Sequence, residues 1–499
     1  MPYPALWPPG SAAWLAALPG VVVAAVLGFR RLGAKPLWLD ETVSVSVATR
    51  PWPRILEVLA HHDANAGLYY LLLHVWLHLG HGVTWDRVPT VVFFVATAGV
   101  AAVVATRWRG AWLGVACGLL VATNKFLLFY GQEARPYALA VLLAVVSTAA
   151  LFARDGEPSP VWYVAATTAL LYADLFAVLF VAVQAAVLVV LTWSRRRRMS
   201  PVLVRCWLAI GGAAAPLALV MVSRERAQIS WLTRPTVAQL GTTYSEMANG
   251  PLGLLVITVL AVLALRWALE GRRRVWEMNL IPVLLGAAAV PPVVLWVFAR
   301  AVPSFLDRYV ICSTVAVVGL AAVGLEELRR VAGAAAAVVV GVVLLGLGGV
   351  QIVTYEAQPY KYENLPAVVG FISAHARPGD VMGFDGGGLR TAVDAYLPAP
   401  ASGSPGAASF PTDIALAPGG EAFLQHDLYA REVTAPVLLA RLQGVHRVWM
   451  VIDPSSGPFP TIGPFTAIRR QFLREYAALQ TWSFPGVEVT LFNQSAPNG

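Results

Sequence analysis

Charged residues are scarce in this sequence. They account for 13% of its 499 residues, whereas hydrophobic residues account for 58%, and the mean hydropathy is +0.65. A soluble domain carries about 25% charged residues, so this scarcity excludes an ordinary soluble protein. The long apolar runs that replace charge predict an integral membrane protein with many spans.

Cysteine is also rare. The three cysteines, Cys117, Cys206 and Cys312, lie in or beside apolar segments, a pattern that fits neither a disulfide framework nor a zinc site. The formal net charge of +8 comes from basic residues in short clusters between apolar segments, as expected for cytoplasmic loops. The sequence therefore gives no indication of nucleic-acid binding.

The basic clusters predict a topology if each lies in the cytoplasm. They are Arg107 with Arg109, Arg154, Arg195 to Arg198, Arg272 to Arg274, and Arg329 with Arg330. About eleven membrane helices follow, with the N-terminus inside: 12–29, 88–105, 111–129, 136–153, 161–173, 175–193, 201–222, 251–269, 279–299, 309–326 and 332–353. Residues 1–353 are thus predicted to form a helical membrane domain.

Two segments of this domain need separate interpretation. The first span has no basic segment before it, so we expect an uncleaved membrane helix rather than a signal peptide. The segment from Leu68 to Leu79 is too short to cross a bilayer. It is predicted to be an amphipathic helix in the membrane interface.

Residues 354–499 have a different composition, richer in Gly, Pro, Asp and Ser. They are predicted to form a soluble, extracytoplasmic α/β domain with strands at 379–385, 447–453 and 487–492, a helix at 472–479 and a loop at 398–420. The segment Asp385-Gly-Gly-Gly-Leu-Arg390 resembles a phosphate-binding loop. It lacks the flanking pattern of a nucleotide site, so a turn is favoured.

An acidic pair, Asp40 and Glu41, follows the first span. Charges beside a hydrophobic span are costly, which favours a functional role. Asp40 could act as a general base that takes a proton from a hydroxyl group, with Glu41 as its acidic neighbour. The alternative is a pair that anchors the loop, with Asp40 capping a helix.

Two predicted outer loops combine an arginine with a tyrosine: Arg135 with Tyr137, and Arg308 with Tyr309. A guanidinium group binds phosphate through its fork of donors, and arginine at membrane depth is rare. Glu133 could orient Arg135 or bind a sugar hydroxyl. The alternatives are a helix-end ion pair and arginines that extend toward the membrane surface.

The other candidate substrate-binding residues lie in three predicted outer loops: His61, His62, Asp63, Asp174 and Trp231. The first three could together hold a divalent cation, but their spacing matches no strong metal pattern, so no metal ligand is assigned. Trp231 could stack on a sugar face or lie at the interface. Asp174 could reach a cavity or solvate its turn.

Four segments, taken in order, resemble the motifs of the GT-C glycosyltransferases, especially bacterial relatives of protein O-mannosyltransferases and of the lipid A aminoarabinose transferase. They are Leu37-Trp-Leu-Asp-Glu41, Gly67-Leu-Tyr-Tyr-Leu-Leu-Leu-His-Val-Trp76, Tyr130-Gly-Gln-Glu-Ala-Arg-Pro-Tyr137 and Phe305-Leu-Asp-Arg-Tyr309. Tyr362-Glu363-Asn364 through Asp380 resembles the opening of that family's tail. Gly67 replaces the usual proline, and Asp174 stands where relatives often have histidine.

The resemblance implies a polytopic helical fold with a cavity at the outer face and a sugar donor carried on polyprenyl phosphate. Asp40 matches the base, and Arg135 and Arg308 match candidates for the donor phosphate. The expected activity is inverting transfer, of mannose as first choice, to a hydroxyl of an envelope glycan, lipid or protein at the bacterial plasma membrane. No cofactor beyond a divalent cation is considered.

Two other functions remain open. A transporter or flippase of lipid-linked sugars would also use outer arginines, but it predicts polar residues at mid-membrane and an internal repeat. The sequence has few charges within its spans and no such repeat. A non-catalytic membrane scaffold, whose tail binds envelope partners, would not need Asp40.

Overall fold

The computed structural model describes residues 11–153, 158–194, 196, 198–224, 232–269, 277–397, 410–422, 428–457 and 459–495. The chain forms two compact units. The membrane unit contains the chain up to Leu32, Asp63–Tyr69 and Thr84–Ala357. The sheet unit contains Gly33–His62, Tyr70–Val83 and the chain from Gln358 onward.

Most described residues lie in helices. In chain order these are α1 (Ser11–Phe29), α2 (Leu39–Ala48), α3 (Trp52–His61), α4 (Gly67–Leu77), α5 (Val83–Arg109), α6 (Ala111–Ala122), α7 (Lys125–Gly131), α8 (Tyr137–Leu151), α9 (Pro160–Ala173), α10 (Ala177–Ser194), α11 (Pro201–Arg224), α12 (Val237–Met247), α13 (Pro251–Leu269), α14 (Glu277–Ala299), α15 (Ser313–Ala332), α16 (Ala334–Ala357), α17 (Leu365–His375), α18 (Gly387–Asp394), α19 (Ala435–Leu442) and α20 (Pro464–Glu475). The predicted domain boundary at residue 353 therefore falls within α16.

The chain is a multi-pass membrane protein. Seven helices of the described residues are long and apolar enough to cross a bilayer: α1, α5, α10, α11, α13, α14 and α16. Helices α8 and α9 have 15 and 14 residues and rise only about 21–23 Å, whereas the hydrocarbon core of a bilayer is about 30 Å thick. Helix α15 ends in a charged segment, Glu326 to Arg330. The total of eleven spans remains a prediction.

The predicted span 111–129 is broken in the structure. Helices α6 and α7 meet at an angle of 60°, because the side chain of Asn124 accepts a hydrogen bond from the Leu127 amide and begins a new helix. Asn249 provides hydrogen-bond partners for the backbone at the break. Its side chain accepts from the Lys125 amide at 2.8 Å and donates to the Thr123 carbonyl at 3.3 Å. Irregular backbone at membrane depth is tolerated when protein groups satisfy it in this way.

An ion-pair cluster joins α5 to α15. The guanidinium group of Arg109 lies 2.6 Å from the Glu327 carboxylate, and both side chains are buried. The same guanidinium carbon lies 3.8 Å from the ring centroid of Trp267, on α13. Arg109 thus connects α5 with α13 and α15. Breaking its buried ion pair would destabilise the fold.

Helix α4 has 11 residues and a rise of about 16 Å, which is too short to cross a bilayer. This length agrees with the sequence prediction that Leu68–Leu79 does not span the membrane. Its predicted place in the membrane interface remains a prediction.

The sheet unit contains one five-stranded mixed sheet with the strand order β2-β1-β3-β5-β4. The strands are β1 (Val381–Phe384), β2 (Thr412–Asp413), β3 (Arg447–Ile452), β4 (Tyr476–Phe484) and β5 (Val487–Gln494). Strands β1, β2 and β3 run parallel, while β5 pairs antiparallel with β3 and β4. Strands β1 and β3 are almost fully buried, as expected for parallel strands.

The predicted helix at Phe472–Leu479 is partly wrong. Helix α20 ends at Glu475, and the chain continues as β4. Tyr476 begins that strand because its side chain is buried and its hydroxyl donates to the carbonyls of Leu442 and Val445. These partners are distant in sequence, so local periodicity did not indicate the change.

The glycine-rich segment after β1 is a turn into α18. Arg390 lies fully buried in that helix, with its guanidinium group 2.6 Å from Asp413 and 2.7 Å from Glu432. Asp385 accepts from the amides of Thr461 and Ile462. These contacts give both ends of the segment structural partners. Part of the predicted loop 398–420, residues 398–409, lies outside the described residues.

Candidate active site

The acidic pair lies in the first turn of α2. The helix begins at Leu39, so Trp38 rather than Asp40 occupies the N-cap position. Glu41 is completely buried and accepts from the Trp38 amide at 3.3 Å, whereas Asp40 is partly exposed. Carboxylates in a first turn are stabilised by the helix dipole. The fold thus separates the two acids: Glu41 supports the helix, and Asp40 remains accessible.

A third acid of the sheet unit contacts the same helix. Glu363, which precedes α17, accepts from the Leu39 amide at 3.2 Å. The ring of its neighbour Tyr362 lies 4.3 Å from the Trp38 ring, centroid to centroid. The sequence analysis predicted no role for Glu363. Its resemblance segment, Tyr362-Glu363-Asn364, was the pattern that could have indicated one.

The two histidines at the end of α3 are partly buried. His61 Nδ1 lies 2.7 Å from the Glu57 carbonyl, and the ring centroids of His61 and His62 are 6.3 Å apart. Asp63 is buried. Within the described part of the chain, no group of three or more His, Cys, Asp or Glu side chains could hold a metal ion. Sugar binding by these residues remains a prediction.

In the membrane unit, the two arginine loops are linked to each other. Tyr130, at the end of α7, donates to Asp307 Oδ1 at 3.3 Å, and the same oxygen accepts from the Arg308 amide at 2.7 Å. The Arg308 guanidinium carbon lies 5.9 Å from the centroid of the Tyr309 ring. Tyr130 and Asp307 lie within the sequence motifs, but the motifs did not predict this contact.

Asp174 connects a third loop to this cluster. Its Oδ1 accepts from the Phe176 amide at 3.0 Å, and the Phe176 ring stacks on Tyr309 at 4.0 Å. Burial raises the pKa of Asp174 to about 7, while the Phe176 amide and the positive charge of Arg135 act in the lowering direction. Its Oδ2 is buried without a hydrogen bond. The three loops that carry Arg135, Asp174 and Arg308 therefore meet within one unit.

The segment that carries Arg135 is held by hydrogen bonds to residues near α1 and in α16. Gln132 donates to the carbonyls of Leu27, Gly28 and Arg30 near the end of α1, and it accepts from the Tyr355 hydroxyl of α16 at 3.1 Å. Glu133 is completely buried and Tyr137 is nearly so, whereas Arg135 is partly exposed. Its guanidinium carbon lies 5.7 Å from the Tyr137 ring centroid. The motif thus buries its other polar residues and presents the arginine.

Some sequence predictions lie outside the described residues. Trp231 is one of them, as are Arg154 and the basic cluster Arg272 to Arg274.

The fold is similar to that of ArnT, in agreement with the fold that the motif resemblance predicted. The solved structures that share it include the crystal structures of ArnT from Cupriavidus metallidurans, one bound to undecaprenyl phosphate and one in the apo state. The similarities cover 97% and 96% of this chain and 98% of each ArnT chain, with TM-scores of 0.56 and 0.57. Sequence identity is 14% in both, so the likeness is one of fold. No protein-family model matches the sequence, and the comparison with curated proteins gives no match.

Proposed function

We propose that this protein is a polyprenyl-phosphate-dependent glycosyltransferase that moves a sugar to a hydroxyl acceptor at the outer face of a bacterial plasma membrane. The observation that carries the proposal is the cluster in the membrane unit, where the loops of Arg135, Asp174 and Arg308 are joined through Tyr130, Asp307 and Phe176. Partly exposed arginines with neighbouring tyrosines suit a phosphate ester. The GT-C fold and the undecaprenyl phosphate bound by ArnT support a lipid-linked donor.

The reaction follows from the chemistry of these groups. The acceptor oxygen attacks the anomeric carbon of the sugar as the bond from that carbon to the phosphate oxygen breaks. Asp40 takes the hydroxyl proton, and the bonding pair leaves with the polyprenyl phosphate. Arg135 and Arg308 stabilise the negative charge that grows on the departing phosphate. One displacement inverts the configuration at the anomeric carbon.

The remaining assignments extend the sequence predictions. Mannose is the first donor sugar to test, followed by other hexoses and pentoses. The acceptor class is an envelope glycan, lipid or protein. The N-terminus lies in the cytoplasm and the sheet unit outside, as the basic clusters predict.

The test is sugar transfer in membranes that contain wild type, Asp40→Asn or Glu475→Gln. Glu475 is an exposed glutamate of α20, so its substitution also replaces a carboxylate by an amide in the same unit. Label that leaves radiolabelled polyprenyl-phosphate-mannose with wild type and Glu475→Gln, but not with Asp40→Asn, supports the enzyme and its base. Transfer that survives Asp40→Asn rejects that base.

Two further outcomes separate the alternative functions. Label that changes leaflet but stays on the donor lipid favours a transporter. A failure of wild type to transfer from mannose, other hexose and pentose donors, together with an absence of leaflet exchange, rejects the enzyme in favour of a scaffold.

A further inference from the structure

Residues of the C-terminal part of the chain contact the segment that leads into Asp40 and Glu41. Besides the bond from the Leu39 amide to Glu363, Tyr396 donates to the Leu37 carbonyl at 3.0 Å. Leu39 also packs against α18, where a Cβ at Gly388 would lie 3.6 Å from its methyl groups. The backbone before and within the first turn of α2 is therefore fixed from the sheet side of the same unit.

Glu363 itself is confined in this arrangement. A Cβ at Gly486, in the turn between β4 and β5, would lie 2.9 Å from the Glu363 Cγ, so only glycine permits this approach. The charged groups that act on Glu363 from packed elements are Asp40 of α2 and Asp453, which follows β3. Gly486 adds no charge. The Glu363 carboxyl group thus has two negatively charged neighbours, one of which is Asp40, the proposed base.

The electrostatics agree with this geometry. Burial raises the pKa of Glu363 to about 7, and the negative charges of Asp40 and Asp453 contribute in the same direction, while the Leu39 amide opposes them. A carboxylate accepts a stronger hydrogen bond from an amide than a neutral acid does. When Glu363 loses its proton, its hydrogen bond from the Leu39 amide therefore becomes stronger.

We propose that Glu363 is a positioning residue of the transferase, which holds the start of α2, and with it Asp40, through the Leu39 amide and holds it more strongly when ionised. The effect of this contact on transfer rests on the proposed function. The C-terminal part of the chain then contributes to the catalytic centre.

The first experiment measures transfer between pH 5.5 and 8.5 with full-length wild type, Glu363→Gln, Glu363→Asp and Glu475→Gln. The glutamine variant retains an oxygen that can accept from Leu39, and Glu475 is an exposed carboxylate of α20. Wild type and Glu475→Gln should gain activity as the pH rises through about 7. Glu363→Gln should lack that rise and fall about fivefold below wild type at pH 8, because a neutral amide oxygen accepts a weaker hydrogen bond from Leu39 than a carboxylate does. Glu363→Asp should recover part of it.

A second experiment needs no sugar donor. The melting temperature of the purified full-length protein is measured at pH 5 and pH 8 for wild type, Asp40→Asn, Glu363→Gln and the double variant. Because the pKa of Glu363 is raised from 4.5 to about 7, its contribution to stability is complete below about pH 4.5 and is lost as the pH rises through 7. Glu363→Gln should therefore raise the melting temperature relative to wild type more at pH 8 than at pH 5, and less so in the Asp40→Asn background.

The outcomes separate this inference from the proposed function. An unchanged pH profile in Glu363→Gln, with active wild type, overturns the positioning role and leaves the transferase intact. Additive, pH-independent melting shifts overturn the coupling to Asp40. Coupled shifts without transfer from any donor would retain the carboxyl pair and reject the transferase.

Discussion

Tyr130 and Asp307 are joined by a hydrogen bond of 3.3 Å, although 177 positions separate them in the chain. Since Asp307 also accepts from the Arg308 amide, the tyrosine hydroxyl is one bond away from the backbone that carries a proposed phosphate ligand. Tyr130→Phe should raise the KM for the donor about 2- to 10-fold, because a typical hydrogen bond contributes about 0.5–1.5 kcal/mol. Steady-state transfer at varied donor concentration measures this.

The matched control is Tyr244→Phe, which removes a hydroxyl that donates to the Ala289 carbonyl. It should leave the KM near the wild-type value. Equal effects of the two substitutions would show that the Tyr130–Asp307 bond has no particular role in donor binding.

Arg135 and Arg308 are the proposed phosphate ligands, and their substitution is expected to weaken donor binding more than substitution of Arg300. Arg135→Gln and Arg308→Gln should each weaken donor binding about 10- to 100-fold, since hydrogen bonds to charged groups contribute about 1.5–3 kcal/mol. Arg300→Gln should not, because Arg300 donates to the Pro235 carbonyl. Binding of a labelled polyprenyl phosphate to the purified protein tests this without catalysis.

Lysine variants refine that result. Arg135→Lys and Arg308→Lys keep the charge and lose the fork of donors. If a lysine restores full affinity, the site recognises charge alone and the fork-like geometry is unnecessary. If glutamine is as good as arginine, the phosphate-binding role is wrong.

The parts of the site that sequence predicted are those whose residues lie within one short motif. Asp40 and Glu41 are adjacent, and Arg135 lies near Tyr137, so order and spacing sufficed. Glu363 was not assigned a role, because it meets Leu39 across 324 positions. Such a contact depends on how the sheet unit folds, and no local pattern encodes it.

The fold shows the same limit. Long apolar segments predicted the membrane helices because the hydrophobicity needed to cross a bilayer is a local property of each segment. The break after Thr123 was missed because Asn249 supplies its partners from a distant segment. The start of β4 was missed for a similar reason, since the carbonyls of Leu442 and Val445 fix Tyr476.

Asp174 should make stability depend on pH. Its pKa is raised by burial from 3.8 to about 7, so the folded state favours the protonated acid, and the stability that this contributes is lost as the pH rises from about 4 to about 7. Asp174→Asn should therefore raise the melting temperature relative to wild type at pH 8 and have less effect at pH 5. Glu475→Gln, at an exposed site, is the control and should show no such pH difference. A larger gain at pH 5 than at pH 8 would contradict the assigned direction.

Gly348 lets α16 pass close to the broken span. A Cβ at this position would lie 2.2 Å from the Thr123 carbonyl oxygen and 3.0 Å from Asn249 Nδ2. Because the first of these atoms is backbone, it cannot move aside cheaply, and Gly348→Ala should destabilise the protein by about 1–3 kcal/mol. Gly346→Ala is the matched control, since a Cβ there meets no atom within 4 Å.

Transfer activity should follow the same pattern as stability for these two variants. Helix α16 also carries Tyr355, whose hydroxyl donates to Gln132 at 3.1 Å, three positions before Arg135. A displaced α16 would therefore loosen the loop that presents the arginine as well as the break between α6 and α7. Gly348→Ala should lower both the melting temperature and the transfer rate, and Gly346→Ala should change neither. A melting temperature lowered equally by both alanines would mean that helix flexibility, rather than close approach to Thr123, explains the glycine.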